Sequence, residues 1–246
     1  MISSVYYEKG PAAEINQDAV VYEQAAVDGV TLSMAVVCDG IGGLPQGEYA
    51  STLVTGAARE WFYREAIQLY HRKAGRETVK NSVLRMFFCC AEQMRKYGQE
   101  KEISLGTTVT MLLIHNRKYE IFHVGDSRCY LIRKHFCIQL TKDDVLKNGA
   151  LSRCLGSVKW RKCQMLSGKL KKGTAFLVCS DGFRRRLTEK ELTELFDAKQ
   201  ISTEVQLEKR LKKAGQEIIS RGEKDNSTAV CLIVESGGKI WHRMRP

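Results

Sequence analysis

Short apolar runs and longer amphipathic stretches alternate along the chain. The short runs, which predict β-strands, lie at 4–8, 19–23, 35–38, 108–114, 119–124, 129–132, 136–140, 176–179 and 228–234. Apolar residues recur at helical spacing over 47–70, 78–97, 187–196 and 203–220, which predicts helices there. Strands, two long helices, a β-meander over 108–140, further helices and a last strand together predict an α+β fold with helices outside antiparallel sheets.

Acidic residues stand at the ends of several predicted strands. Asp39 follows one buried run and Asp181 another, and each is followed by glycine, while Asp126 and Asp225 stand at the ends of two further strands. A single Asp-Gly pair usually marks a tight turn in which the aspartate bonds its own backbone. Several carboxylates that converge would repel each other unless cations held them, and divalent cations prefer oxygen ligands. The recurrence therefore favours a divalent metal site.

Length and composition limit the class of protein. The chain has 246 residues, of which 43% are hydrophobic and 27% charged, as is ordinary for a globular protein with one core or two. No apolar run reaches the roughly 18 residues of a membrane-spanning helix, and the N-terminus lacks a signal-peptide pattern. Nine cysteines without a Cys-x-x-Cys spacing indicate reduced thiols rather than disulfides or zinc ligands. We expect a cytoplasmic protein that does not engage a membrane.

The net charge of +11 is unevenly distributed. Basic residues concentrate in 159–172, at Arg184, Arg185 and Arg186, and on the predicted helix at 203–220. On the helix they are best interpreted as a solvated face. Elsewhere a basic surface would attract phosphorylated or otherwise acidic partners. Nucleic acid is a weaker alternative, because no aromatic interleaving or recognition motif accompanies the charge.

Eight short motifs occur in a fixed order along nearly the whole chain, from about residue 4 to 235. They are Asn16-Gln17-Asp18, Val37-Cys38-Asp39-Gly40-Ile41-Gly42-Gly43, Gly106-Thr107-Thr108, Gly125-Asp126-Ser127-Arg128, Leu140-Thr141, Leu151-Ser152-Arg153-Cys154-Leu155-Gly156, Ser180-Asp181-Gly182 and Asp225-Asn226-Ser227. This succession resembles the PP2C-type (PPM family) metal-dependent serine/threonine protein phosphatases in their compact bacterial form. Eight motifs in register are far more specific than any one of them.

The resemblance implies a fold and an activity. The fold would be a four-layer α/β/β/α sandwich, in which a central antiparallel β-sandwich is flanked by helices. Residues 1–236 would form one phosphatase domain, and 237–246 a short C-terminal strand or tail. The activity would be hydrolysis of phosphoserine or phosphothreonine by in-line attack of a water that bridges two Mn²⁺ or Mg²⁺ ions. A third ion is left open.

Metal-ligand roles are implied residue by residue. Asp39 matches the carboxylate that bridges the two ions, and the backbone carbonyl of Gly40 matches a ligand of one ion. Asp181 and Asp225 match ligands of the other ion. Asp18 matches an acid that binds through water. Catalysis would thus depend on Asp39, Asp181 and Asp225.

Other motif residues are expected to be structural. Asp126 lies in a turn, where pairing with Arg128 or capping of local backbone is the better interpretation. Thr107 and Thr108 are expected to pack and hydrogen-bond beneath the site. Arg153 also has the character of a structural residue.

The chain departs from the family pattern at two functional positions. Ala13 stands where the family has its phosphate-binding arginine, so we expect Arg184, Arg185 or Arg186, three to five residues beyond Asp181, to supply that contact. A solvent-facing basic helix is the alternative. The segment 142–150, where most relatives carry a flap over the site, has only nine residues. We therefore expect a shortened flap and an open cleft.

Two function hypotheses follow. The first is an active signalling phosphatase, which acts on phosphorylated proteins and opposes a serine/threonine kinase. The second is a catalytically weak regulatory module on the same fold that binds a phosphorylated partner. Retention of three mutually repelling metal-ligand carboxylates favours the first, whereas Ala13 and the short flap favour weak or specialised activity. No coiled coil or interface pattern is evident, so a monomer is expected.

Overall fold

The computed structural model describes residues 1–41, 44–157, 160 and 162–234. Gly42 and Gly43 of the second motif lie outside these residues, as do Lys159 and Arg161 of the basic run. The predicted C-terminal strand or tail at 237–246 also lies outside them.

Within the described residues, ten strands form two antiparallel five-stranded sheets. The first sheet has the order β1 (Ile2–Glu8), β10 (Ser227–Val234), β9 (Thr174–Cys179), β6 (Arg128–Arg133) and β7 (Phe136–Gln139). The second has the order β2 (Asp18–Val27), β3 (Val30–Asp39), β4 (Val109–His115), β5 (Lys118–Val124) and β8 (Gln164–Lys169). Neighbouring strands within each sheet pair antiparallel.

Helices cover the outer face of each sheet. The second sheet carries α1 (Gly47–Trp61), a π-helical turn (Phe62–Ala66), α2 (Ile67–His71) and α3 (Arg76–Lys101), while α4 (Asp181–Arg184), α5 (Glu189–Leu195) and α6 (Glu204–Ser220) pack on the first. The two longest predicted helical regions are confirmed, although the π-turn interrupts the first of them.

Three apolar layers hold the sandwich together, one between the two sheets and one beneath the helices on each outer face. Between the sheets, Val37 and Leu112 pack with Phe176 and Val230. On the other face of β3, Met34, Val36 and Cys38 belong to the layer beneath α1–α3. Because β3 is buried on both faces, its sequence is a continuous apolar run rather than an alternating one. Two antiparallel sheets flanked by helices confirm the predicted four-layer sandwich.

The predicted β-meander over 108–140 is wrong. After β5 the chain leaves the second sheet, and β6 and β7 pair in the first. The hydroxyl of Thr110 donates to the carbonyl oxygen of Ser127 (3.2 Å), and those of Thr108 and Ser127 are 2.7 Å apart, so the three-residue link is fixed to the second sheet as it crosses. Strand periodicity carries no information about which sheet a strand joins. The sequence patterns do not predict strand β8, because its residues lie within the basic run at 159–172 and every second side chain is exposed.

The close packing of α6 on β1 gives a stability prediction. A Cβ added at Gly215 would stand 2.1 Å from the hydroxyl oxygen of Tyr6, a buried side chain packed against Phe183. We expect Gly215→Ala to lower the free energy of unfolding by about 1–3 kcal/mol through overpacking. Gly56→Ala is the matched control, because Gly56 is an exposed helical glycine with nothing near its Cβ. That change should raise stability by roughly 0.5–1 kcal/mol. Urea denaturation measures both, and equal effects would contradict the packing argument.

Candidate active site

The aspartates predicted to hold metal come together at one end of the sandwich. Asp18 begins β2 and pairs directly with Asp39 at the end of β3. Asp181 begins α4, just beyond β9, and Asp225 precedes β10 by two residues. Both sheets therefore contribute carboxylates to this end of the molecule.

The backbone around Asp39 is fixed by the Gly-Thr-Thr motif. The amide of Asp39 donates to the hydroxyl of Thr108 (2.9 Å), and its carbonyl oxygen accepts from the Thr108 amide (2.8 Å) and the Thr107 hydroxyl (2.9 Å). Both threonines are buried. The prediction that they hydrogen-bond beneath the site is confirmed.

Two glycines allow the chain to approach itself closely beside the aspartates. A Cβ at Gly40 would stand 2.4 Å from the carbonyl oxygen of Gly47, and one at Gly182 would stand 2.1 Å from that of Asn226. Any other residue at Gly182 would push the start of α4 away from the loop that carries Asp225. No donor among the described residues bonds to the carbonyl oxygen of Gly40, which leaves this oxygen available to a cation.

The aspartates raise one another's pKa. Burial, and then repulsion from Asp225 and Asp181, raises the pKa of Asp18 to about 7, although the hydroxyls of Thr228 and Ser180 oppose the shift. Burial also raises the pKa of Asp39 well above its usual range, and Asp18, Asp181, Asp126 and Asp225 all add to the shift.

Asp126 lies near these aspartates, and of its two predicted contacts, with Arg128 or with local backbone, the pairing with Arg128 is wrong. The Arg128 guanidinium instead donates to both carboxylate oxygens of Asp143, at 2.7–3.2 Å. Burial and then the charge of Asp181 raise the pKa of Asp126 to about 6, against the attraction of Arg184. The signal in the sequence was its position at the end of β5, at the same edge as the other acids.

The three arginines after Asp181 take different positions. Arg185 bonds to the carboxylate of Asp181 and lies 3.6 Å from Asp225. Arg184 is 3.6 Å from Asp143 and largely buried, and Arg186 is 3.6 Å from Glu223. Of the three, only Arg185 forms an ion pair with an aspartate proposed as a metal ligand.

The donor set suits a hard divalent cation. Oδ2 of Asp18 is buried and has no hydrogen-bond partner among the described residues. Within those residues, no three His, Cys, Asp or Glu side chains could hold a metal ion as they now stand. The Arg185 guanidinium engages Asp181 and approaches Asp225, so a cation at these two carboxylates would have to displace it. That these carboxylates hold metal ions stays a prediction.

The segment 142–150 is anchored close to the site. Asp144 is buried, its amide donates to the carbonyl oxygen of Gly125 (2.7 Å), and its carboxylate accepts from the Gly125 amide (3.1 Å). Arg153 bonds to the same carboxylate, which confirms a structural contact for that residue. The open cleft expected from this short segment stays a prediction.

Comparison with known proteins gives the family. A family model described as Protein phosphatase 2C matches residues 12–215, so the chain belongs to that family. The serine/threonine phosphatase Stp of Listeria monocytogenes is 29% identical over 197 residues, 70% of this chain and 74% of that protein. A relative from Mycoplasma pneumoniae is 29% identical over 153 residues, and there the match spans about half (55%) of the relative's length. The predicted class, a PP2C-type protein phosphatase, is confirmed.

Solved structures share the fold. Serine/threonine phosphatase Stp1 from Staphylococcus aureus superposes with a TM-score of 0.81 at 22% identity, over 96% of both chains. The Mycobacterium tuberculosis phosphatase PstP/Ppp gives 0.74 at 23% identity, over 95% of this chain and 98% of its own. Within the described residues, no helix combines the length and apolar character needed to cross a membrane.

The raised pKa values predict a pH dependence in the metal-free protein. The pKa of an aspartate in an unfolded chain is about 3.9, whereas the pKa of Asp18 in the folded protein is raised to about 7. Between these values the folded state binds more protons than the unfolded one, so stability falls as the pH rises. We expect the free energy of unfolding in chelator to be lower at pH 8 than at pH 5 by about 2 kcal/mol or more. Urea denaturation would measure it, and Asp18→Asn should flatten the dependence. A curve unaffected by that change would contradict the assignment.

Proposed function

We propose that this chain is a metal-dependent phosphatase of phosphoserine and phosphothreonine in proteins, with Asp39, Asp181 and Asp225 as its essential carboxylates. The observation that carries the proposal is the convergence of aspartates from separate elements at one end of the sandwich. Each carboxylate raises the energy of the others there. A fold gains nothing from such repulsion unless a cation offsets it.

Each residue has a proposed role. Asp39 would bridge two Mn²⁺ or Mg²⁺ ions, with the Gly40 carbonyl as a ligand of one and Asp181 and Asp225 as ligands of the other. Asp18, the most enclosed of the aspartates, would bind through water. When bound, the two ions would lower the pKa of water and neutralise charge on the phosphoryl group, so that no protein nucleophile is needed.

Asp126 extends the proposed ligand set. The charge of Asp181 raises the pKa of Asp126, and the charge of Asp126 raises the pKa of Asp39. A third ion, which the sequence left open, would be held here between Asp126 and Asp181. Arg184 offsets part of the negative charge on this side of the cluster.

Arg185 is the proposed phosphate contact in place of Ala13. Metal ions at Asp181 and Asp225 would compete with its guanidinium for the same oxygens. Once displaced, the guanidinium would remain at the edge of the site, and its planar fork matches two phosphate oxygens. Arg184 and Arg186 are engaged by Asp143 and Glu223 and lie farther from this role.

The proposal extends to the setting in which the protein acts. Its substrates would be phosphorylated proteins that a serine/threonine kinase modifies in the cytoplasm, and the protein would act as a monomer. The alternative, a regulatory module that binds a phosphorylated partner without efficient turnover, is less favoured, because a module of that kind has no need of convergent carboxylates.

The first experiment is hydrolysis of a phosphothreonine peptide with Mn²⁺, Mg²⁺ or chelator. We expect turnover only with metal, and Asp39→Asn should reduce it by about 10²-fold or more, since the bridging charge is lost. Isothermal titration of Mn²⁺ into both proteins gives an independent measure of the site. Metal binding by the parent protein without turnover would support the regulatory module, and metal-independent turnover would contradict both proposals.

The role of Arg185 predicts a separation of kinetic constants. We expect Arg185→Gln in the metal-loaded enzyme to raise KM for the peptide about tenfold with a smaller change in kcat, because one charge-assisted hydrogen bond to phosphate is lost. Mn²⁺ should also bind more tightly to this variant, since a competing cation is gone. Arg186→Gln is the matched control and should change neither value by more than about twofold. Equal KM values for the two variants would exclude Arg185 as the phosphate contact.

A further inference from the structure

A polar cavity lies at the opposite end of the second sheet from the aspartates. It has a volume of about 380 Å³ between the outer face of the sheet and the turn that joins α2 to α3. Its lining includes Tyr70, Arg76, His115, Lys118, Glu120 and Lys169. Strand β4 runs from Val109, near the aspartates, to His115, so the cavity is roughly 20 Å from the candidate active site at about 3.4 Å per residue.

Strand register places three basic side chains in one row. His115 on β4 pairs with Lys118 on β5, and Lys118 pairs with Lys169 on β8. Directly opposed residues on neighbouring strands point to the same face of a sheet. Like charges in such pairs repel, so the Lys118–Lys169 pair weakens the sheet unless an anion lies between the two ammonium groups.

The one carboxylate in the cavity is already engaged. Glu120 accepts a hydrogen bond from the Tyr70 hydroxyl (2.5 Å) and is 3.9 Å from Nε of Arg76. Within the described residues, neither Lys118 nor Lys169 forms an ion pair. The cavity therefore has an unbalanced positive charge.

Two further donors face the same space. Arg76 is the first residue of α3, a helix of 26 residues without a side-chain cap at its N-terminus. Among the described residues the amides of Arg76 and Glu77 have no acceptor, whereas the Thr78 amide donates to the carbonyl oxygen of Gly75 (3.0 Å), so two amides and the positive end of the helix dipole remain available. The His115 ring also lines the cavity, and because its Nδ1 is enclosed, a donation to a ligand there would come from Nε2. The His115 ring packs against Tyr70 with ring centroids 4.2 Å apart, which fixes its orientation.

From this arrangement we propose that the cavity binds a small organic phosphate. Lys118, Lys169, the first turn of α3 and His115 would donate to the phosphate, while Tyr70 and the apolar side chain of Val79 would contact the organic part. A phosphate dianion suits this set better than a carboxylate does, because it offers more acceptor oxygens to donors that come from several directions. The site does not depend on the aspartate cluster or on the proposed activity.

The test follows the histidine ring signals by NMR in ¹⁵N-histidine-labelled protein. Phenyl phosphate is titrated in chelator, and inorganic phosphate both in chelator and with Mg²⁺. We expect a saturable shift of the His115 signals, which His115→Gln identifies, while those of His135 on the β6–β7 turn stay in place. Inorganic phosphate should give the same His115 shift with and without Mg²⁺, and tighter binding of phenyl phosphate would show that the organic part contributes.

Paired variants decide whether the proposed donors are responsible. Lys118→Ala with Lys169→Ala should raise the Kd for phenyl phosphate about tenfold or more, since two charge-assisted bonds are lost. Lys96→Ala with Lys209→Ala removes the same charge from exposed helical positions and should leave the Kd within about twofold. The proposal is overturned if the His115 signals fail to saturate at millimolar ligand, or if both double variants bind alike. Hydrolysis of the phosphothreonine peptide is expected to be retained in both, so failure here is distinct from failure of the proposed function.

Discussion

Asp18 and Asp39 lie directly opposite each other on neighbouring strands, and much of the surrounding structure serves to hold this pair of like charges in place. The Gly-Thr-Thr motif fixes the backbone of Asp39, and an Asn16 side chain accepts from the amide of Asp18 (3.0 Å). Both carboxylates are enclosed, so water screens their repulsion poorly. The pair is therefore a local cost that the hydrophobic layers around it have to offset.

The Arg185 guanidinium and a bound metal ion would each neutralise negative charge in the aspartate cluster, but at different positions. In the structure, Arg185 neutralises part of the cluster from its rim, where its side chain is 42% exposed, and it also lies 3.4 Å from the buried Glu223. It cannot reach the enclosed oxygen of Asp18, which stays without a partner. A flexible side chain anchored outside the cluster thus compensates the outer carboxylates but not the inner ones. A small cation bound within the cluster would compensate both.

Local patterns predict most of the strands and helices and the gathering of aspartates at one end of the sandwich. The apolar run before Asp39 predicted a buried strand, and the recurrence of acids at strand ends predicted their convergence. The exchange of sheets after β5 was not predictable in this way, because it depends on hydrogen bonds from Thr108 and Thr110 that are distant in sequence. For the same reason, local patterns do not show that Arg128 pairs with Asp143, fifteen residues further on, and not with Asp126. The edge strand β8 has no apolar run in its sequence, because half of its side chains are exposed.

The pairing of β1 with β10 bears on how the chain is completed during synthesis. Ile2 is aligned with Ile233, so β1 has no partner in its sheet until β10 has been synthesised. The second sheet consists of strands that are mostly joined by local connections, and it can assemble earlier. Until then, unpaired β1 exposes backbone donors and acceptors to other nascent chains. The first sheet, and with it the position of Asp225 beside Asp181, is therefore completed only after β10 has been synthesised.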